Sequence, residues 1–500
     1  MSPMDGSKSL KEPHVLPRLR WFSREARDRI VAEAIAILER IGVFVENDEA
    51  LRLLDAAGAR ADRSSGRVLL PEGLVRKALR TVPHRVLVYD RRGIAAMDLG
   101  GDRLHFNPGS TALRIFDPAL GDSRTPVTKD LLDFARLVDA LPNYAAQSTG
   151  LVSGDVPEEI SDRYRLYLAL RGSSKPVVTG TFRKDGFAPM YEMLLAVSGG
   201  ERELRERPIA IFDCCPSPPL KWSDLTCQAL IDCARAGIPA ELVSMPLAGA
   251  TAPSTLAGAV TQHCAENLSG IAIHQLACGG SPIVWGGSPA CFDLRRGTPP
   301  MGAIETLILD AACAEVGKHL GLPTHAYMAL SDAKPVDYQA GAESALGAML
   351  AALSGVNNVS GPGMLDFESC QSLEKLVLDH EICGMAHRLA AGVAVREEPL
   401  ALGVLEEGIA AGEFLSLEHT RRWCRTEAYY PDPVIDRSTL AEWRASGRKD
   451  ALGRASERVR KLLGEHRPAA LDGGVRRALE GIALAEARRY GLERLPEARD

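Results

Sequence analysis

Asp332, Lys334, Asp337, Gln339 and Glu343 crowd polar chemistry into a dozen positions directly after the apolar run PTHAYMAL at 323–330. Carboxylates beside an amine, with an amide close by, are groups that orient a charged substrate or move a proton. Some of them have a plainer reading. Asp337 is placed to cap a helix starting at Tyr338, and Gln339 with Glu343 are i, i+4 neighbours on one helix face. Asp332 and Lys334 follow a buried run immediately, where parallel α/β enzymes keep their sites. Asp332, Lys334, Gln339 and Glu343 are therefore the candidate catalytic residues.

A second set could hold a cation. Phe212, Trp285, Phe292, Tyr327 and Tyr338 lie in or close to the ends of apolar runs. Aromatic faces with one or two carboxylates suit a quaternary ammonium, which is drawn to the ring quadrupole and cannot donate a hydrogen bond. Packing between core layers is the other account of these rings. Gly287–Ser288 and Ser360–Gly361 sit in Gly-rich segments that are either plain turns or places where a ligand approaches the backbone. With His325 they complete the candidate binding set.

Elements that would position these residues recur from Thr128 onward. Short apolar runs occupy 143–151, 175–182, 207–215, 238–245, 281–287, 323–330 and 355–361, most of them opened by Pro or Gly. Each has the length of a buried parallel strand. The helical stretches between them (158–171, 187–198, 223–236, 254–278, 302–320 and 337–354) are long enough for right-handed crossovers. This spacing predicts an α/β chain folded as a (β/α)8 barrel of the TIM type, whose strand ends, Gln147, Thr179, Asp213 and Ser244 among them, converge on one mouth. The eighth strand lies either around Gly392–Val395, after a helix at 371–392, or in the N-terminal β region. An open doubly wound sheet is the alternative, although no Gly-x-Gly-x-x-Gly follows the first run. The expected organisation is a disordered tail over 1–22, a small N-terminal α+β cap over 23–127, the barrel over 128–396 and a helical C-terminal appendage over 397–500.

The 500 residues are 46% apolar and 25% charged, enough for a large core. A net charge of −6 argues against a nucleic-acid binder, because phosphate affinity rests on clustered cations. No run is long enough for a membrane span and the first residues lack a secretory signal, so a cytoplasmic location and no membrane partner are expected. The eleven cysteines include no Cys-x-x-Cys pair, and the histidine pairs 263/274 and 319/325 miss the i, i+4 spacing of a helix-borne metal site. No metal is expected. Small-residue helices and the C-terminal appendage suggest self-association.

Several separated motifs, in one order, resemble the trimethylamine methyltransferase superfamily of corrinoid-dependent enzymes. They are NPGSTALRIFD, TPVTKDLLDFARLVDALPN, GGSPIVWGGSPACFDLRRGTPPMGAIET and LSDAKPVDYQAGAESALGAMLAALSGVNNVSGPGMLDFESCQSLEKLVLDHEICGM. The likeness extends from about residue 23 to beyond 430. It implies a (β/α)8 barrel that moves a methyl group from a small methylated amine to the cobalt of a separate corrinoid-binding protein, with no cofactor bound by this chain itself. Founding members carry pyrrolysine within the segment matching Ser331–Gln339. This chain has Lys334, Pro335 and Val336 there, so it resembles the non-pyrrolysine branch, whose members demethylate quaternary amines such as glycine betaine. A quaternary ammonium already releases a neutral amine, so the protein need supply only orientation, a cage for the cation and an open mouth. If the substrate is a betaine, Lys334, His325 or a backbone amide near Gly287–Ser288 could hold its carboxylate. The alternatives are another barrel enzyme, a lyase or aldolase using Lys334 as a Schiff-base nucleophile, and a non-catalytic sensor of methylated amines.

Overall fold

The computed structural model describes residues 16–62 and 64–496. Among them eight short parallel strands close a barrel: β1 His105–Asn107, β2 Gln147–Ser148, β3 Val177–Thr179, β4 Ala210–Cys214, β5 Ala240–Leu242, β6 Ile283–Val284, β7 His325–Tyr327 and β8 Asn358–Ser360. β2 to β6 form one continuous sheet and β7, β8 and β1 another. Two bridges join the sheets. Trp285 pairs with Thr324 and Phe106 with Tyr144, and the amides of His325 and Ala145 donate to the carbonyls of Trp285 and Phe106 at 2.8 Å each.

Each strand is followed by a helix: α1 Thr128–Asp139, α2 Ser161–Gly172, α3 Phe187–Ser198, α4 Asp224–Ala236, α5 Leu256–Ala277, α6 Ile304–His319, α7 Tyr338–Ser354 and α8 Leu373–Ala390. Local chemistry sets several of their ends. Ser223, Asp337 and Ser372 accept the amides of Thr226, Ala340 and Lys375 and so cap α4, α7 and α8. Gly237 and Gly355 end α4 and α7 at φ of 72° and 74°, a conformation that costs glycine nothing.

All seven apolar runs carry a strand, and the eighth comes from the N-terminal β region. Residues 392–395 form no strand. The barrel therefore begins at residue 105, inside the stretch assigned to the cap, and the boundary expected at 127/128 is corrected to precede β1. A strand there completes the closure that 128–396 alone leaves open. The remaining N-terminal elements are a floor and a flank. Strands Val86–Tyr89 and Ala95–Leu99 pair as a hairpin. Their period-2 pattern turns Val86, Val88, Met97 and Leu99 onto Ala146, Val178, Ile211 and Val284 at the lower end of the barrel. Burying each of the larger side chains contributes about 1.5–3 kcal/mol and keeps that end dry. Helix Arg24–Arg40 packs on α5.

Of the expected tail, residues before 16 lie outside the described ones. The part up to Phe22 is fastened rather than free: Leu19 N donates to Leu353 O at 2.9 Å and Trp21 N to Glu315 at 2.6 Å. In the C-terminal region, helix Ala451–Glu465 lies on α8 and α1, and Gly473–Arg489 on α3 and α2. This region straps the side where the barrel opens and closes in sequence. Among the described residues no helix is long and apolar enough to cross a membrane.

Candidate active site at the barrel mouth

Strand parity decides which side chains enter the barrel. Along β4, Ala210, Phe212 and Cys214 pack outward into the main core, whereas Ile211 faces the floor hairpin and Asp213 stands above it inside the barrel. On β5 the same alternation turns Ala240 and Leu242 outward and Glu241 inward. Asp213 and Glu241 are register neighbours. Their carboxyl groups are within hydrogen-bond reach, and burial together with this proximity pushes Glu241 far up while burial raises Asp213. Two carboxyls this close in a dry site share a proton, and the pair takes on one negative charge as the pH rises through about 7, where Asp213 ionises.

Partners fix the pair from three sides. Tyr327 donates its hydroxyl to Asp213 Oδ2 at 3.3 Å, and Asn358 Nδ2 donates to Glu241 Oε2 at 2.9 Å. His325 lies with Nε2 3.3 Å from Glu241 Oε1 and 3.1 Å from Ser360 Oγ, which itself donates to Asn107 Oδ1 at 2.5 Å. Burial lowers the His325 pKa to about 3, which fits a neutral ring with its proton on Nε2. Other buried polar atoms here have no protein partner: both side-chain atoms of Gln147, Asn107 Nδ2, Asn358 Oδ1, His325 Nδ1 and Glu368 Oε1. Each such group costs about 1–3 kcal/mol when left unsatisfied, so these atoms are where water or a polar ligand would bind.

Above the pair stand Arg165 and Glu368. Arg165, on α2, is buried, donates from Nη1 to Thr149 O at 2.9 Å and to Thr111 Oγ1 at 3.2 Å, and stacks over Phe182 at 4.4 Å. Its charge acts on Asp162, Asp213 and Tyr327, in that order. Glu368 follows β8 in a stretch where Asp366, Phe367 and Glu368 have φ of 52°, 54° and 67°. Three successive non-glycine residues in the left-handed region store strain of about 1–3 kcal/mol each, held only because neighbours over-determine the loop. Burial raises Glu368 to about 8, and both Asp332 and Asp213 repel its charge, which sets it between the barrel axis and an outer cleft.

That cleft, of about 740 Å³, is bounded by the loop after β6 (Phe292, Leu294), the loop after β7 (Asp332, Lys334), Gln339 and Glu343 at the start of α7, and Phe367. Its polar residues fasten loops to one another. Asp332 accepts the amides of Met301 and Gly302 at 2.8 and 2.9 Å, and burial raises it to about 6. Glu343 accepts Ser331 Oγ, the Asp332 amide and Gln339 Nε2. Lys334 bonds Asp366 Oδ1 at 3.0 Å and covers the Phe367 ring at 3.8 Å, latching the strained loop that carries Glu368.

A model of the family described as trimethylamine methyltransferase (MTTB) matches residues 5–489 of this chain. The chain belongs to the trimethylamine methyltransferase family. The trimethylamine methyltransferase MttB of Desulfitobacterium hafniense is 30% identical over 95% of this chain and 96% of its own length. The protein of that name from Methanosarcina thermophila is 32% identical over 91% of this chain and 95% of its own length. A glycine betaine methyltransferase of Desulfitobacterium hafniense is 29% identical over 96% of this chain and 99% of its own length. In structure, the monomethylamine methyltransferase MtmB of Methanosarcina barkeri superposes with a TM-score of 0.50 at 11% identity, over 93% of each chain, which bears on the fold alone.

Within this trimethylamine methyltransferase fold the sequence candidates separate into three places. His325, Tyr327 and Ser360 line the barrel interior. Asp332, Lys334, Gln339, Glu343 and Phe292 rim the outer cleft. The rest lie away from both places. Phe212 points outward onto Phe187 at 5.4 Å, and Trp285 donates to Cys313 O at 3.0 Å from the helix side of β6. Tyr338 is 90% exposed beside α8. Ser288 spends its amide on Ser244 O at 2.9 Å. A Cβ on Gly287 would lie 2.6 Å from Ser244 O, and one on Gly361 would lie 2.1 Å from Met328 O, so both glycines are there for close backbone approach.

Of the carboxylate holders expected from sequence, Lys334 is paired at the rim, His325 lies beside Glu241, and the Ser288 amide is bonded to Ser244 O. Asp213 was visible only as a strand end, and Glu241, Arg165 and Glu368 were passed over as site residues. A glutamate in the centre of IPAELVSM, and an arginine in a helix buried on nearly every side, were the signals available. Among the described residues no group of three or more His, Cys, Asp or Glu side chains could hold a metal ion.

Proposed function

We propose that this protein transfers a methyl group from a methylated amine, of the quaternary kind, to the corrinoid of a partner protein. The observation that carries the reading is the buried Asp213–Glu241 pair, with Glu368 above it, on the axis of a barrel of this family. One shared negative charge in a site walled by Tyr327 and Phe182 favours a cation that needs no hydrogen bond. The relatives are named for trimethylamine and glycine betaine, both methylated amines.

The chain's own part is binding, orientation and exclusion of water. Asp213, held by Tyr327, places the ammonium on the axis. The departing amine leaves neutral, so the shared proton stays on the carboxyl pair during transfer. A corrinoid, when brought by its partner, supplies a strongly nucleophilic cobalt for in-line attack at a methyl carbon. Phe292, Phe367 and Leu294, the last 77% exposed, give the outer cleft the apolar rim that would hold such a flat ring. The test is to mix the protein with reduced corrinoid, free and on a carrier protein, and follow the visible spectrum with a panel of methylated amines. Growth of the methylcorrinoid band with one of them supports the reading. Saturable binding with no band for any amine or carrier rejects it in favour of a sensor.

Two further outcomes are expected. A cation is held best by ionised carboxyls, so KM for the amine should fall as the pH rises through about 7 to 8, where Asp213 and Glu368 give up their protons. Binding should then release protons below that pH, read as an enthalpy that varies with the buffer; a KM that rises with pH contradicts the site. Lys334→Ala should cost at most about 1 kcal/mol of stability and leave transfer within a few-fold, because the pair it makes is largely exposed. The Schiff-base alternative requires that amine in an apolar pocket. Loss of turnover in a folded Lys334→Ala protein, with borohydride trapping in the wild type, would restore it.

A further inference from the structure

We infer that the cleft where the C-terminal strap crosses α1 and α2 is a second binding site, for a small molecule bearing a diphosphate group. Arg171 and Gly172, which end α2, help to line it, so it lies toward the opposite end of the barrel from the mouth. The site is independent of the proposed methyl-transfer reading.

Shape and charge carry it first. The cleft holds about 380 Å³, the size of a small-ligand site, and combines the apolar side chains of Leu132 and Leu471 with four guanidiniums, those of Arg136, Arg171, Arg467 and Arg476. Among the described residues no carboxylate lines it. Arg171 has a partner of its own, so the charge that calls for an anion is that of the other three. The carboxylates next to them in sequence are engaged elsewhere. Asp133 pairs with Lys129 and stands 3.9 Å from Arg136 Nη1, Asp139 bonds His466 Nε2 at 2.7 Å, and Asp472 accepts the amides of Gly474 and Val475. Positive charge is thus concentrated here in a chain whose net charge is −6.

Three further observations set the cleft apart from an ordinary basic surface. Part of each guanidinium is idle. Arg136 donates from Nη2 to Leu463 O at 2.9 Å, and Arg467 donates from Nη1 to the carbonyls of Leu463, Gly464 and His466. Capping the carbonyl end of helix Ala451–Glu465 accounts for those two nitrogens and no more. Among the described residues Arg467 Nε and Nη2 have no partner, and the Arg476 side chain has no hydrogen bond or ion pair. Such donors form a planar fork matched to phosphate oxygens. Arg476 is also costly where it stands. It lies in the first turn of helix Gly473–Arg489, which holds no acidic residue, and the positive end of the helix dipole disfavours a cation there unless an anion joins it. Finally, the walls are already set. Arg91 donates to Ala469 O and, from Nη1, to Leu170 O at 2.6 Å, tying the strap to the end of α2, so a ligand need not order the cleft.

The test titrates the full-length protein with pyrophosphate and with ADP at constant ionic strength, with sulfate as the control, and reads calorimetry and the melting temperature. Both phosphate probes are expected to bind saturably and to raise the melting temperature, ADP at least as tightly because its nucleoside covers the apolar lining. Arg467→Gln and Arg476→Gln should each weaken binding by about 10- to 100-fold, the loss of a charge-assisted bond. Both residues are exposed, so these variants keep the fold. Arg476→Glu puts a carboxylate at the positive helix end and should raise the melting temperature of the free protein while abolishing the response to pyrophosphate. No saturable binding of either probe, or an equal response to sulfate, overturns the inference. So does an Arg476→Glu protein that still binds pyrophosphate as wild type does.

Discussion

Asp213→Asn is expected to lower kcat/KM for the methylated amine by about 10²- to 10³-fold without unfolding the protein. The substitution is isosteric, and its carbonyl oxygen can still accept the Tyr327 hydroxyl now bonded at 3.3 Å. What disappears is the shared negative charge that fixes the ammonium. The stability effect has the opposite sign. The folded carboxyl is pushed above its unfolded value of about 3.9, so the native protein holds this proton more tightly than the unfolded chain. Stability from this group therefore declines as the pH rises from that unfolded value through the raised folded one, and the variant escapes the decline. A thermal melt should show Asp213→Asn as stable as wild type in acid and more stable in alkali. An active variant, or one that melts earlier at alkaline pH, would remove Asp213 from the site.

Gly361→Ala is expected to cost about 3 kcal/mol of stability, read as a shift in denaturant midpoint, with little change in KM for whatever remains folded. The added Cβ would sit 2.1 Å from Met328 O and 3.0 Å from its carbonyl carbon, and backbone cannot give way as a flexible side chain can. Those atoms lie just past the C-terminal ends of β7 and β8, strands that pair through Tyr327 and Ser360. Pushing them apart strains the pairing of these two strands. A stable Gly361→Ala protein whose only defect is a raised KM would mean that this glycine makes room for a ligand instead.

These substitutions also separate two levels of information in the chain. The barrel was legible because its signals are local. A buried strand of a few apolar residues opened by Pro or Gly, followed by a helix of crossover length, can be recognised without knowing its neighbours. The family motifs around GGSP, LSDAKP and SGPGM were legible for the same reason, and with them the relation to methylamine-transferring enzymes. The helix cap made by Asp337 was equally readable from its position alone.

Tertiary structure decided the rest. Parity along β4 turned Phe212 out and Asp213 in, and a one-residue difference in pleat cannot be assigned until the strand's two faces are known. Closure by β1 made an N-terminal segment part of the barrel, because a strand's neighbours are set by the ring and not by the chain. Residues 165, 213, 241, 327 and 368 share no sequence pattern. They meet because eight parallel strands aim their ends at one mouth, where burial turns a glutamate that would be unremarkable in solution into half of a proton-sharing pair.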